Sequence, residues 1–138
     1  MPNSTFKAVI FDLNGVLIPR IWPEADTNMI ELVKSLRKNN IKTAILSNLL
    51  IGDAASVRAS DWAQYFDVLA LSGEIQSAKP DPESYLSVLA MLDCTPEQAV
   101  FVDDLPGHVA GARAVGLRAI LFHNEALLRK ELKELEVL

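Results

Sequence analysis

Short apolar runs alternate along the chain with segments in which apolar residues recur at helical spacing. Five of these runs predict strands, the last two more weakly: residues 7–11, 43–46, 99–102, 68–70 and 118–121. Runs that are apolar on both faces of the strand are typical of a parallel sheet that helices cover on both sides. The pattern therefore predicts a mainly parallel, five-stranded sheet.

The segments between these runs predict helices. Residues 29–36 place apolar side chains at the i, i+3, i+4, i+7 spacing of one helix face, and residues 85–92 repeat that spacing. Alternating strands and helices are typical of a doubly wound three-layer α/β sandwich with right-handed crossovers. We predict that residues 1–138 form a single domain of this class.

Composition narrows the function classes. The chain has 138 residues and a formal net charge of −5. Its Lys and Arg residues are scattered along the sequence, so the sequence shows no basic cluster of the kind that binds nucleic acid. There is neither a signal-peptide pattern at the N-terminus nor an apolar segment of membrane-spanning length. The single cysteine, Cys94, agrees with a reducing compartment. We predict a cytoplasmic protein that binds neither nucleic acid nor membrane.

Polar residues stand at the ends of the predicted strands. Asp12 follows the first strand, Ser47 and Asn48 follow the second in sequence, and Asp103 and Asp104 follow the strand at 99–102. The carboxyl ends of parallel strands meet at one edge of the sheet, where open α/β folds bind ligands. We expect these side chains to converge there.

The chemistry of these residues suits phosphoryl transfer. A carboxylate such as Asp12 can attack phosphorus, and a Mg²⁺ ion held by Asp12 and Asp104 would neutralise the repulsion between the two anions. Lys79 would add a fixed positive charge, while Ser47 and the backbone N–H groups after Asp12 could hold the phosphate oxygens. Taken singly, each residue also fits a cap, a turn or a solvated loop, but their joint placement favours a site.

The order of these motifs resembles that of the haloacid dehalogenase-like (HAD) hydrolase superfamily. The resemblance spans residues 7–121 and rests on a strand followed by Asp-x-Asn-Gly-Val, on a strand ending in Ser-Asn, on Lys-Pro, and on Val-Asp-Asp followed by Gly-Ala-Arg-Ala-Val-Gly. The first three motifs lie at 11–17, 45–48 and 79–80, and the fourth combines 100–104 with 111–116. Each motif alone is weak, whereas the four in this order are specific. The resemblance implies a Rossmannoid fold.

The resemblance also implies roles. Asp12 would be the nucleophile and a metal ligand, the main-chain carbonyl of Asn14 and the Asp104 carboxylate would complete the protein ligands of Mg²⁺, and Asp103 would support them. Phosphate would be bound by four residues: Gly15, Ser47, Asn48 and Lys79. The expected activity is that of a magnesium-dependent phosphatase that acts on a phosphorylated substrate through an aspartyl-phosphate.

Asn14 departs from the superfamily pattern, which usually has a second Asp that protonates the leaving group and later activates water. An amide does neither. Two alternatives therefore stay open: a weakly active or non-enzymatic member that binds a phosphorylated ligand or a partner, and a metal-independent haloacid dehalogenase. The pair Asp103 and Asp104 favours a metal over the second alternative.

A cap domain is also missing, since only one loop and one helix fit between Asp12 and Ser47. We expect a capless site whose rim is open unless a homodimer or another partner covers it. The apolar segments 21–22 and 49–51 either form such a contact patch or pack locally. His108, where the superfamily commonly carries Asn, either orients an aspartate or lies on the surface.

Overall fold

A computed structural model describes residues 5–18, 25–49 and 51–138, apart from the side chains of residues 51 and 52. Its sheet has five strands, all parallel, in the order β3-β2-β1-β4-β5. The strands are β1 (Ala8–Phe11), β2 (Lys42–Ser47), β3 (Val68–Leu71), β4 (Ala99–Asp103) and β5 (Arg118–Leu121). The predicted doubly wound, five-stranded sheet is confirmed, with strand limits within one residue of those expected.

Helices connect the strands. In the described part of the chain the α-helices are α1 (Thr27–Lys38), α2 (Ile51–Arg58), α3 (Ser72–Ile75), α4 (Pro82–Leu92), α5 (Pro106–Ala114) and α6 (Glu125–Glu134). Short 3₁₀ helices lie at Asp61–Tyr65 and Pro96–Gln98. The sequence pattern did not predict α2 and α3, because α3 is a single turn and α2 lacks a continuous apolar stripe. Among the described residues, none of the helices has the length and hydrophobicity that crossing a bilayer requires.

Each strand contributes to two separate cores. In β1, Val9 and Phe11 belong to one core, whereas Ala8 and Ile10 belong to the other, because successive side chains point to opposite faces of the sheet. Helices α1 and α6 cover the first core, and α4 and α5 cover the second. Every residue of β1 is therefore buried, which explains why this strand is apolar throughout.

The strand register brings the strand ends together. Phe11 pairs with Ile45 on one side and with Val102 on the other, so residue 12 lies level with the carboxyl ends of β2 and β4. The backbone N–H of Asp12 still donates to Val102 O at 2.9 Å. The sheet thus fixes the backbone of Asp12 relative to the end of β4.

Helices α4 and α5 are in close contact near the carboxyl edge of the sheet. The hydroxyl of Tyr85 in α4, a fully buried residue, donates to the carbonyl of His108 in α5 at 2.7 Å. A methyl group on Gly111 would lie 2.8 Å from Pro80 Cβ and 2.9 Å from the Tyr85 hydroxyl oxygen. Only glycine allows α5 to approach the loop before α4 this closely.

Replacing glycine by alanine at two positions of α5 should change the free energy of unfolding in opposite directions. Gly111→Ala should lower the free energy of unfolding by about 1–3 kcal/mol through overpacking against Pro80 and Tyr85. Gly107→Ala meets nothing within 4 Å and should raise it by up to about 1 kcal/mol, because alanine is the better helix former. Urea denaturation measures both; a Gly111→Ala protein as stable as Gly107→Ala would contradict the packing argument.

Candidate functional site

Four of the polar residues that the sequence predicts to form the site are buried at the carboxyl edge of the sheet. Asp12 follows β1, Ser47 ends β2, Asp103 ends β4, and Lys79 lies in the loop between α3 and α4. Their exposed fractions are 7%, 2%, 0% and 4%, in that order. Burying charged groups is costly unless they are paired, so their partners decide what the cluster can do.

The Lys79 ammonium joins the two aspartates. Its Nζ donates to Asp12 Oδ1 and to Asp103 Oδ2, each at 2.9 Å. The side chain also passes over the Phe101 ring, with Nζ 5.6 Å from the ring centroid. The residue after β1, the last residue of β4 and the α3–α4 loop therefore meet at one buried cation, and the three groups carry a net charge of −1 when both carboxyl groups are ionised.

Asn48 holds the backbone of Lys79. Its amide nitrogen donates to Lys79 O at 3.1 Å, and its amide oxygen accepts from the Lys79 N–H at 2.9 Å. In the structure both ends of its amide contact the lysine backbone, and the phosphate contact that the sequence suggested for Asn48 stays a prediction. Asn48 thus positions the residue whose ammonium enters the site.

Both oxygens of Asp103 are engaged by protein donors. Oδ1 accepts from the Leu105 N–H at 3.0 Å, the turn that an aspartate forms with the backbone two residues on. Oδ2 accepts from Lys79 and lies 3.0 Å from His108 Nδ1. Of the two interpretations of His108 that the sequence left open, the structure shows the aspartate contact. The sequence left a cap or turn open for this aspartate, and the bond from the Leu105 N–H is a local contact of that kind.

The two buried aspartates have different acidities. Burial raises the pKa of Asp12 to about 7, and the charge of Asp103 adds to this effect, while Lys79 opposes it. Burial also disfavours ionised Asp103, but the charge and hydrogen bond of Lys79, the Leu105 N–H and His108 lower its pKa below the usual range. In the metal-free protein Asp103 therefore remains anionic, and Asp12 titrates near neutral pH.

A tight loop carries the chain away from Asp12. The Leu13 carbonyl accepts from the N–H groups of Leu17 and Ile18 at 3.0 and 2.9 Å, and these three side chains are buried. Asn14, by contrast, has an exposed side chain two residues after Asp12. The buried side chains thus fix the loop to the core, whereas its polar residue Asn14 is exposed to solvent.

Gly15 allows Asp104 to enter the cluster. Its φ of +91° is rarely adopted by other residues, and a Cβ at this position would overlap the Asp104 carboxylate. The structure thus assigns Gly15 a steric role next to the proposed metal site, and the phosphate contact that the sequence predicted for it stays a prediction.

The acidic groups fit a hard divalent cation. Carboxylate oxygens of Asp12, Asp103 and Asp104 lie within 4.8 Å of one another. Asp104 receives no hydrogen bond or ion pair from the described residues, whereas both oxygens of Asp103 are occupied. Oxygen donors of this kind suit Mg²⁺, which binds a few carboxylates and keeps several waters. Asp12 and Asp104 are therefore the residues that could hold the ion, with Asp103 in support.

The apolar patch predicted at the site mouth lies mostly outside the described residues, which leave out 21–22, Leu50 and the side chain of Ile51. Its remaining member, Leu49, is half-buried and packs against the first core. Its backbone is fixed by Ser72, whose hydroxyl accepts from Leu49 N at 2.8 Å and donates to Leu49 O at 3.0 Å. Leu49 is therefore in part a core residue.

Comparisons with known proteins agree with this fold. The sequence model of the haloacid dehalogenase-like hydrolase family matches residues 22–116, more than half of the chain, although the match begins after Asp12. A phosphorylated carbohydrates phosphatase of Thermotoga maritima is 36% identical over 92 residues, which cover 66% of this chain and 41% of that protein. Bifunctional epoxide hydrolase 2 of Mus musculus is 30% identical over 111 residues, which cover 77% of this chain and 20% of that protein. The chain thus spans less than half the length of these relatives.

Solved structures match over nearly the whole chain. An uncharacterized protein from Corynebacterium glutamicum superposes with a TM-score of 0.80 at 26% identity, with 96% of each chain covered. A HAD phosphatase from Thermococcus onnurineus superposes with a TM-score of 0.81 at 17% identity, with 92% of this chain and 98% of that chain covered. The acidic cluster at the edge of a five-stranded parallel sheet and the match to the family model lead to one conclusion: the chain belongs to the haloacid dehalogenase-like hydrolase family.

Proposed function

We propose that the protein is a magnesium-dependent phosphatase in which Asp12 is the nucleophile and carries the phosphoryl group as an aspartyl-phosphate. The observation that carries this proposal is the position of Asp12. It lies buried at the end of the central strand, 2.9 Å from the Lys79 ammonium and within 4.8 Å of the Asp104 carboxylate. Similarity to a protein named as a phosphatase of phosphorylated carbohydrates supports the reaction type.

The reaction has two displacements at phosphorus. In the first, a carboxylate oxygen of Asp12 forms a bond to phosphorus while the ester P–O bond breaks, and the leaving oxygen takes up a proton. In the second, a water oxygen attacks phosphorus, the bond to Asp12 breaks, and inorganic phosphate leaves. Asp12 returns as a carboxylate, ready for another cycle.

The chain's own charges prepare the first displacement. The Lys79 ammonium favours ionised Asp12 and reduces the repulsion that an incoming phosphate would meet. Its own position is fixed at the backbone by Asn48 and at Nζ by Asp103. A bound Mg²⁺, held by Asp12 and Asp104, would supply further positive charge. This charge would favour the carboxylate form of Asp12 and attract the phosphate oxygens.

Asn14 limits the proton transfers. Its exposed side chain stands two residues after the nucleophile, where a carboxyl group could protonate the leaving oxygen and later accept a proton from water. An amide cannot do this, so the leaving oxygen must take its proton from solvent. We propose that the protein turns over slowly on alkyl esters and faster on aryl esters, which depart without a proton.

We further propose that the site works without a cap domain. Asn14, two residues after Asp12, and Leu105, two residues after Asp103, are both exposed, which supports a rim that a phosphorylated substrate can reach. Binding of phosphate without turnover would instead identify a ligand-binding member, and release of halide from a haloacid without metal would identify a dehalogenase. A substrate panel assayed with and without Mg²⁺ separates the three.

Removing the buried ammonium should destabilise the fold. Lys79→Met leaves Asp12 and Asp103 without their cation, and breaking a buried ion pair in this way costs about 3–5 kcal/mol. The variant raises the pKa of both carboxyl groups in the folded state, so its loss of stability should be largest at high pH and shrink as they protonate at low pH. Lys34→Met, which removes a surface lysine paired with Glu31, should cost far less stability, because a solvent-exposed ion pair contributes little. Equal losses in urea denaturation would contradict the role given to Lys79.

Magnesium should stabilise the protein through Asp104. At a concentration about 100 times the dissociation constant, a ligand of the native state adds roughly 2.7 kcal/mol to the free energy of unfolding. Asp104→Asn should weaken Mg²⁺ binding by at least about tenfold, whereas the exposed Asp61→Asn should leave it unchanged. Isothermal titration calorimetry measures both. If Asp104→Asn binds as tightly as the wild type, the ion lies elsewhere.

Asn14→Asp should raise the turnover of alkyl phosphates. It places a carboxyl group two residues after the nucleophile, where a positioned general acid contributes about 10²–10⁴-fold. The gain should be small for aryl phosphates, because their leaving groups need no proton. Turnover numbers for one alkyl and one aryl ester, measured at saturating Mg²⁺, give the comparison.

The control for this experiment is Asp12→Asn, alone and combined with Asn14→Asp. Neither protein should turn over any ester, and neither should retain acid-stable radioactive phosphate from a labelled substrate, because the nucleophile is gone. Label retained on Asp12→Asn would refute the aspartyl-phosphate. An Asn14→Asp protein that binds Mg²⁺ but gains nothing on alkyl esters would refute the claim that the missing acid limits turnover.

A further inference from the structure

One leucine at the rim of the site is not explained by the fold. Leu105 is the N-cap of α5, and no side-chain hydrogen bond caps the helix there. Leucine is among the poorest residues at this position, where Ser, Thr, Asp and Asn satisfy the free N–H groups of the first turn. The Leu105 side chain is 49% exposed, so burial in a core does not account for it either. A residue that breaks a local preference in this way without a structural gain is a sign of function.

The backbone of Leu105 is fixed to the charged cluster. Its N–H donates to Asp103 Oδ1 at 3.0 Å, and the residue before it is Asp104, a proposed ligand of the metal. Because Asp12, Lys79 and Asp103 are buried, a substrate reaches them only from the exposed rim. A phosphate held at Asp12 therefore leaves its organic group at the rim, which Leu105 borders.

Leu105 begins an uncharged stretch of this rim. Pro106 and Gly107 follow it, both are exposed, and none of the three side chains has a charge or a hydrogen-bonding group. A Cβ on Gly107 would meet nothing within 4 Å, so the space beside this stretch is open. By contrast, the exposed residues Asn14 and Asn48, which follow β1 and β2, carry polar amides. We call residues 105–107 the apolar lip.

We propose that the apolar lip makes the site selective for phosphate esters whose organic group is apolar, and that Leu105 determines this specificity. Contact between Leu105 and such a group removes apolar surface of both from water, which favours binding in proportion to the area. A polar organic group would lose hydrogen bonds to water at the lip and find no partner there. The inference rests on the proposed function, because it requires a phosphate ester in the site.

One-sided contact sets the size of the effect. A fully buried CH₂ group favours binding by about fourfold, but a group that touches a single side chain at an open rim is buried only in part. We therefore expect that lengthening an alkyl group from two to six carbons strengthens binding by about fivefold, far less than full burial of four CH₂ groups would give.

Isothermal titration calorimetry with alkyl phosphonates tests the lip, because phosphonates keep the anionic group but have no ester bond to hydrolyse. At saturating Mg²⁺, the wild type should bind hexyl phosphonate about fivefold more tightly than ethyl phosphonate. Leu105→Ser should reduce this ratio to below about twofold, whereas Leu105→Met, which keeps an apolar side chain, should preserve it. The matched control is Leu86→Ser within α4, where a leucine is 48% exposed, and it should also preserve the ratio.

Melting temperatures separate a role in specificity from a structural role. Leu105→Ser should melt at a higher temperature than the wild type, because serine is the better N-cap for α5. Leu86→Ser should melt at a lower temperature, because serine is the poorer helix former within α4. Loss of selectivity together with a gain in stability is not expected of a residue that only supports the fold.

Three results would overturn the proposal: equal binding of the two phosphonates by the wild type, an unchanged ratio in Leu105→Ser, or a ratio that Leu86→Ser abolishes. Binding of neither phosphonate would overturn it as well. Release of phosphate from hexyl and ethyl phosphate is measured in parallel. A wild type that discriminates between the phosphonates but hydrolyses neither ester would contradict the proposed phosphatase and support the specificity of the lip.

Discussion

The site depends on one buried ammonium group. Lys79 bonds to Asp12 after β1 and to Asp103 at the end of β4, and all three side chains are almost completely shielded from water. Neither carboxylate could remain ionised at such depth without a cation, because moving a charge out of water costs several kcal/mol. Lys79 thus connects three chain segments and favours the ionised form of the proposed nucleophile against the effect of burial.

The surrounding structure keeps this ammonium in place. Asn48, directly after β2, fixes the backbone of Lys79, and the next residue, Pro80, lies where a Cβ on Gly111 would clash. Tyr85 ties α4 to α5 through the carbonyl of His108, whose ring contacts Asp103. Packing of the second core and geometry of the charged cluster are therefore coupled, so a change in helix packing reaches the site through Pro80 and Lys79.

The two sides of the sheet serve different purposes. The first core is covered by α1 and α6, whose charged outer faces suit contact with water. Helices α4 and α5 support the site from the second core but present few charges outward. The packing of these two helices therefore positions His108 and, through the loop before α4, Lys79.

The sequence by itself determined the strands, the sheet class and the residues at the strand ends. Burial on both faces makes parallel strands apolar throughout, and each strand end is fixed locally, so Asp12, Ser47 and Asp103 were identifiable from their positions. Tertiary structure alone decided the contacts among side chains far apart in sequence. These include the two bonds of Lys79, the Asn48 amide on the Lys79 backbone, and the choice between a surface and a site position for His108. Such contacts depend on strand order and helix packing, which a local pattern does not encode.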